Sequence, residues 1–210
     1  MATIEELLSL TKIIPVIVID DFRHAMRLGQ TLVDAGLPVA EVTLRTPDSW
    51  QAIEKMRDVK GLEVGVGSIK SHTDIIRAKE LGVSFAVSPG FTEEVGRAAQ
   101  VSGMTLFPGV STPSEVMSAL AMGFTVLKWF PAESLGGINT LKAICAPFPN
   151  VKFIPTGGIN AKNANDYLAL DCVAAVGGSW MVSRDNLKQD KFEEIKSETI
   201  SALELVGRKS

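Results

Sequence analysis

Eight times in succession the chain follows a short, apolar, β-branched run with a segment of helical period, and this alternation constrains the fold more than any other feature. The first run, Ile13-Ile14-Pro15-Val16-Ile17-Val18-Ile19, is too continuously apolar for a strand with one wet face and reads as a strand covered on both sides. Asp20 and Asp21 end it, and the helical stretch 22–35 stops at Gly36, a residue suited to ending helices. The pattern predicts further strands over 39–44, 62–66, 85–88, 104–107, 125–130, 152–155 and 172–176. Helices are expected after Thr46-Pro47-Asp48, Ser71, Thr92 and Thr112-Pro113, over 139–145 and 163–168, and in the C-terminal tail. Strands separated by helices pair in parallel, and eight such units predict an α/β protein with a closed (β/α)8 TIM barrel, preferred over an open doubly wound sheet. Residues 1–210 read as one domain without linker or low-complexity segment, and 1–10 as a short helix, capped at Thr3, that closes one end.

A composition of 46% hydrophobic and 21% charged residues suits one well-packed soluble domain. The net charge of −3 leaves no basic excess, so neither nucleic acid nor an anionic membrane is an expected partner, and any anionic ligand must be held locally. Cys145 and Cys172 read as free thiols of a reducing cytoplasm. Glu5 and Glu6 precede any long apolar run, which argues against a signal peptide, and no apolar stretch approaches the roughly 18 residues of a membrane span. A cytoplasmic location is expected.

In such a barrel chemistry belongs at the C-terminal ends of the strands. The run Val126-Leu127-Lys128-Trp129-Phe130-Pro131 sets one ammonium group among apolar residues. Lysine, with an ordinary pKa of about 10.4, is almost wholly charged at neutral pH, but desolvation disfavours the cation and yields an amine able to add to a carbonyl. The bland alternative is a strand-end lysine that reaches water along its apolar stem. Period-two alternation places Glu41, Thr43 and Arg45 on one face of the second strand, and Lys128 inward on the sixth with Leu127 and Trp129 outward. Strands two and six face each other across an eight-strand ring, so Glu41 and Lys128 are expected to approach at its centre. A purely structural ion pair competes with this reading. Buried pairs gain little over apolar replacements, however, and three charges converging at the mouth favour function.

Pro155-Thr156-Gly157-Gly158-Ile159-Asn160 follows the seventh strand and Gly177-Gly178-Ser179-Trp180 the eighth. Paired glycines let backbone N–H groups approach a ligand closely, and these two loops are the usual phosphate position of the barrel. Gly65-Val66-Gly67-Ser68 and Ser88-Pro89-Gly90 end the third and fourth strands. Their small residues leave room for a substrate low in the mouth, with the Ser68 hydroxyl free for a carboxylate, although an ordinary turn is the preferred reading of these residues alone. His24 and His72 lie at helix starts and read as surface residues, and without inward histidines no transition-metal site is expected.

Together, Glu41-Val42-Thr43-Leu44-Arg45-Thr46, Val87-Ser88-Pro89-Gly90, Pro108-Gly109-Val110, Leu127-Lys128-Trp129-Phe130-Pro131-Ala132-Glu133 and the two glycine loops closely resemble the 2-keto-3-deoxy-6-phosphogluconate/4-hydroxy-2-oxoglutarate (KDPG/KHG) aldolases, over about 13–180. The resemblance implies a class I aldolase, with Lys128 as the Schiff-base lysine and Glu41 as general acid/base through a water. It further implies Arg45 and Ser68 on the pyruvate carboxylate, Pro89 and Phe130 shaping the pocket, and Thr156, Gly157, Gly158, Gly178 and Ser179 on the phosphate. The substrate would be a small phosphorylated keto-sugar acid, with no cofactor or metal, and the assembly a homotrimer. Two departures stand out: Ser68 takes the place of the family's usual threonine, and Trp129 that of a common phenylalanine. Competing functions are a phosphosugar epimerase or isomerase, in which Lys128 acts only electrostatically, and a non-catalytic phosphosugar-binding barrel.

Overall fold

The computed structural model describes residues 4–207, so Thr3, the expected first cap, lies outside the described residues. The apolar runs form eight parallel strands: β1 (Ile13–Ile17), β2 (Val39–Thr43), β3 (Glu63–Gly67), β4 (Phe85–Val87), β5 in two pieces (Leu106–Phe107 and Gly109–Val110), β6 (Val126–Trp129), β7 (Lys152–Pro155) and β8 (Val176–Gly178). One run of pairing passes from the first piece of β5 through β4, β3, β2 and β1 to β8, and another from the second piece of β5 through β6 to β7. Pro108 has no N–H to give to the ladder and divides β5. Bridges between Phe153 and Val173 and between Thr156 and Gly177 join β7 to the β8 side and close the ring. The expected barrel is therefore present.

Helices follow the strands and cover the ring: α1 (Ile4–Thr11), α2 (Ala25–Asp34), α3 (Ser49–Met56), α4 (His72–Glu80), α5 (Glu93–Ser102), α6 (Pro113–Ala121), α7 (Gly137–Cys145), α8 (Ala164–Leu168), α9 (Arg184–Lys188) and α10 (Phe192–Leu205). Ser71 with Asp74 and Thr112 with Glu115 form reciprocal capping boxes, and Thr92 accepts from the Val95 N–H, so three predicted helix starts have their mechanism. Burial alone would raise the Glu115 carboxyl, but hydrogen bonds from Ser111 and Thr112 outweigh it and hold the group below its usual range. The core lies between ring and helices, where Leu127 and Trp129 of β6 are fully buried and Trp129 meets Phe153 edge to face. The Trp129 indole N–H is buried without a partner, a cost that a phenylalanine there would not carry.

Several expectations need correction. β8 starts at Val176, because the preceding apolar residues touch β7 only through the single Val173 bridge. The stretch expected as one helix over 22–35 opens with a 3₁₀ turn, Phe22–His24, capped by the Asp21 side chain. Cys145 and Cys172 are not free thiols: they form a disulfide, because the end of α7 and the approach to β8 lie side by side with Cα atoms 6.3 Å apart, within bridging range. A separation of 27 residues hides that adjacency. His72 is exposed beside Glu94 as expected, but the His24 side chain is only 19% exposed, packed on Phe192 with Nε2 3.3 Å from Asp190 and Nδ1 unpartnered. Among the described residues no helix is long and apolar enough to cross a membrane.

Candidate active site

Alternation along β2 and β6 aims Glu41 and Lys128 into the ring from opposite sides. They meet there, with Lys128 Nζ 3.1 Å from Glu41 Oε1 and the residues only 4% and 2% exposed. Neither charge reaches water to any extent, so each depends on the other. The Lys128 Nζ also lies 5.4 Å from the Phe130 ring centre, on the negative face that attracts a cation. Thr43, the third inward residue of β2, is buried and donates to the Ile17 carbonyl at 2.9 Å, tying β2 to β1.

The glycines of β3 make room for neighbouring side chains. A Cβ at Gly67 would lie 2.3 Å from Glu41 Oε1, and one at Gly65 would lie 2.2 Å from the Phe85 ring. The space they leave is thus filled by the Glu41 carboxylate and a core aromatic, and not by room for a substrate. Ser68, just past β3, adopts a left-handed backbone with φ +62°, a conformation costly for a side-chain-bearing residue and concentrated at functional sites. Its hydroxyl accepts from Arg45 Nε at 3.3 Å. The two residues expected on the substrate carboxylate are therefore adjacent.

A cavity of about 150 Å³ opens between the ends of β7 and β8. Thr156, Gly157 and Gly158 line it from the β7 side and Gly177, Gly178 and Ser179 from the β8 side, together with Arg45, Phe130, Val16 and Val18. It is smaller than the ~300 Å³ at which ligand pockets begin, which fits one substituent group better than a whole sugar acid. Gly157 and Gly158 have φ of +98° and +81°, which glycine adopts without strain. A Cβ at Gly177 would strike Thr156 Oγ1 at 2.4 Å, so that glycine is demanded by its neighbour. Phe130 links the two parts of the site, since it lines the cavity and faces Lys128.

Pro89 is exposed and does not line this cavity; its backbone packs on Gly109, where a Cβ would lie 2.4 Å from the Pro89 carbonyl oxygen. Residues not singled out from sequence also hold the mouth. Asp20, read only as a strand end, accepts from Arg184 of α9 and lies 3.4 Å from Lys188, and the Arg184 hydrogen bond lowers its carboxyl to about 2. The Glu133 side chain packs on Gly158 and accepts from the Tyr167 hydroxyl. Glu133 stands in a recognised motif, whereas the chain's one tyrosine carried no signal beyond being single.

A family model described as KDPG and KHG aldolase matches residues 4–198. The chain is 41% identical to 2-dehydro-3-deoxy-phosphogluconate aldolase of Dickeya dadantii (strain 3937), over 91% of this chain and 90% of that one. It is 40% identical to the KHG/KDPG aldolase of Escherichia coli (strain K12), over 95% and 94%. Among solved structures, the KDPG aldolase of Legionella pneumophila, with pyruvate captured at low pH as a covalent carbinolamine intermediate, superposes with a TM-score of 0.90 at 40% identity, covering 96% of this chain and 98% of that one. The 2-keto-3-deoxy-6-phosphogluconate aldolase of Zymomonas mobilis ZM4 with 3-phosphoglycerate gives a TM-score of 0.89 at 38% identity, over 95% and 94%.

Proposed function

Because the chain belongs to the KDPG and KHG aldolase family, we propose that it is a class I aldolase cleaving 2-keto-3-deoxy-6-phosphogluconate to pyruvate and glyceraldehyde 3-phosphate. The observation that carries this reading is the buried contact of 3.1 Å between Lys128 Nζ and Glu41 Oε1, which gives an amine and a proton acceptor to one enclosed point. Lys128 hands a proton to Glu41 and adds to the C2 ketone; Glu41 returns that proton to the carbinolamine hydroxyl, which leaves as water and gives a protonated imine with Glu41 again a carboxylate. Glu41, through a water, then takes the C4 hydroxyl proton. The C3–C4 bond breaks with its electron pair flowing to the imine nitrogen, and the aldehyde leaves. The resulting enamine is protonated at C3 with Glu41 as donor, and hydrolysis returns pyruvate and the free amine. The carbinolamine held by the Legionella relative supports an imine route here.

In this reading Arg45 and Ser68 hold the substrate carboxylate, Pro89 and Phe130 shape the pocket around Lys128, and Thr156, Gly157, Gly158, Gly178 and Ser179 hold the phosphate. The size of the β7–β8 cavity supports the phosphate assignment. The enzyme acts as a single-domain cytoplasmic homotrimer without cofactor or metal. The name of the Escherichia coli relative supports 4-hydroxy-2-oxoglutarate as a second substrate. Incubation with pyruvate and borohydride tests the imine: mass spectrometry should find one reduced adduct, on Lys128. An unmodified lysine there would leave an epimerase, isomerase or silent binding protein as the better reading.

Ser179→Asp places a like charge beside the phosphate. The KM for the phosphorylated substrate should rise about tenfold or more while that for 4-hydroxy-2-oxoglutarate stays unchanged. Equal losses on the two substrates would count against the phosphate assignment.

A further inference from the structure

Gly157 and Gly158 carry no side chains to hold their left-handed conformations, so the shape of their loop depends on what packs against it. On one side that packing comes from the turn after β6, where Phe130 and Pro131 lie against Gly157 and Glu133 against Gly158. The Ala132 N–H donates to the Thr156 carbonyl at 2.8 Å and the Glu133 N–H to the Gly157 carbonyl at 3.0 Å. The Glu133 side chain lies so close on Gly158 that a Cβ there would stand 2.5 Å from Glu133 Cγ. From the other side, the Asn160 and Asn163 side-chain amides donate to the Gly158 carbonyl at 3.1 and 3.2 Å.

A carboxylate in this place is unexpected. If free to swing over the loop, the Glu133 charge would oppose a bound anion. It is not free, because the hydroxyl of Tyr167 on α8, a residue only 1% exposed, donates to Glu133 Oε1 at 2.5 Å. Burial, aided by the Glu133 charge, pushes the Tyr167 hydroxyl well above the ordinary tyrosine value, so it stays a donor at any working pH. We infer that Glu133 and Tyr167 are positioning residues that hold the Gly157–Gly158 loop in its anion-accepting shape and keep the carboxylate away from the bound phosphate.

This inference rests on the reading of that loop as the phosphate site, and the experiment separates the two. Tyr167→Phe removes one oxygen and leaves the ring in the core. Loss of a hydrogen bond to a charged group should raise the KM for the phosphorylated substrate about tenfold, with kcat and the KM for 4-hydroxy-2-oxoglutarate within about twofold of the parent. Inorganic phosphate should weaken as a competitive inhibitor by a similar factor. Glu133→Ala should reproduce the effect, and the double variant should be no worse than either single one, since both break the same brace. If the parent enzyme prefers the phosphorylated substrate and Tyr167→Phe changes both KM values equally, or neither, the brace is overturned alone. A parent enzyme that handles the two substrates alike overturns the phosphate assignment and the brace with it.

Discussion

Lys128→Met should lower turnover of every aldol substrate by about 10⁴-fold or more and abolish the borohydride adduct with pyruvate, because no other group at the Glu41 contact can form an imine. Methionine is close in length and apolar, so the barrel interior stays filled. The loss nevertheless has a structural side that must be separated from the chemical one. Removing one member of a buried pair strands the other, at a cost on the order of 3–5 kcal/mol, and Glu41 is only 2% exposed. Lys128→Met should therefore also melt at a lower temperature. Combining it with Glu41→Gln replaces the stranded carboxylate by a neutral amide, and stability should largely return while turnover stays absent. Measurable turnover in the single variant would assign the chemistry to another group. Recovery of turnover in the folded double variant would do the same.

The convergence that this prediction relies on was legible because it needs only two local periodicities and one global one. Alternation turned Glu41 and Lys128 inward, and the count of eight strands set β2 opposite β6. Capping residues Ser71, Thr92 and Thr112 likewise marked helix starts through contacts within a few residues. What escaped detection depends on neighbours distant in sequence. The apolar stretch 172–175 has the composition of a strand, yet it makes only the Val173 bridge, and β8 forms beyond it. The disulfide of Cys145 and Cys172, the Asp20–Arg184 contact and the Tyr167–Glu133 hydrogen bond each join residues that only the closed ring brings together. Gly65 and Gly67 show the same limit in another form. Their smallness was plain, but its purpose was set by Phe85 and Glu41 on the adjacent strands. Ser88-Pro89-Gly90 reads by itself as an ordinary turn, and Pro89 gains a pocket role only from the family resemblance; its backbone packs on Gly109, apart from the β7–β8 cavity.

Glu41→Gln separates the proton chemistry from the imine chemistry. The substitution keeps shape and a hydrogen-bond acceptor for Lys128 but removes the group that takes and returns protons, so kcat for cleavage should fall by roughly 10²–10⁴-fold with KM little altered. Covalent capture of pyruvate should persist, since the nucleophile is intact, though at a lower rate because the amine has lost its nearest proton acceptor, 3.1 Å away. The discriminating measurement is exchange of the pyruvate methyl protons with deuterated water, followed by NMR. That exchange requires the enamine to form and collapse without any aldehyde present, and it isolates the step at C3 from the step at C4. If Glu41 serves both positions, exchange and cleavage should fall together by comparable factors. Cleavage lost with exchange retained would confine Glu41 to the C4 hydroxyl and require a second proton donor, for which the buried Ser88 and Thr156 hydroxyls are the polar groups to examine next. Unchanged kcat would mean that the carboxylate only balances the Lys128 charge, and the proposed proton path through this pair would be wrong.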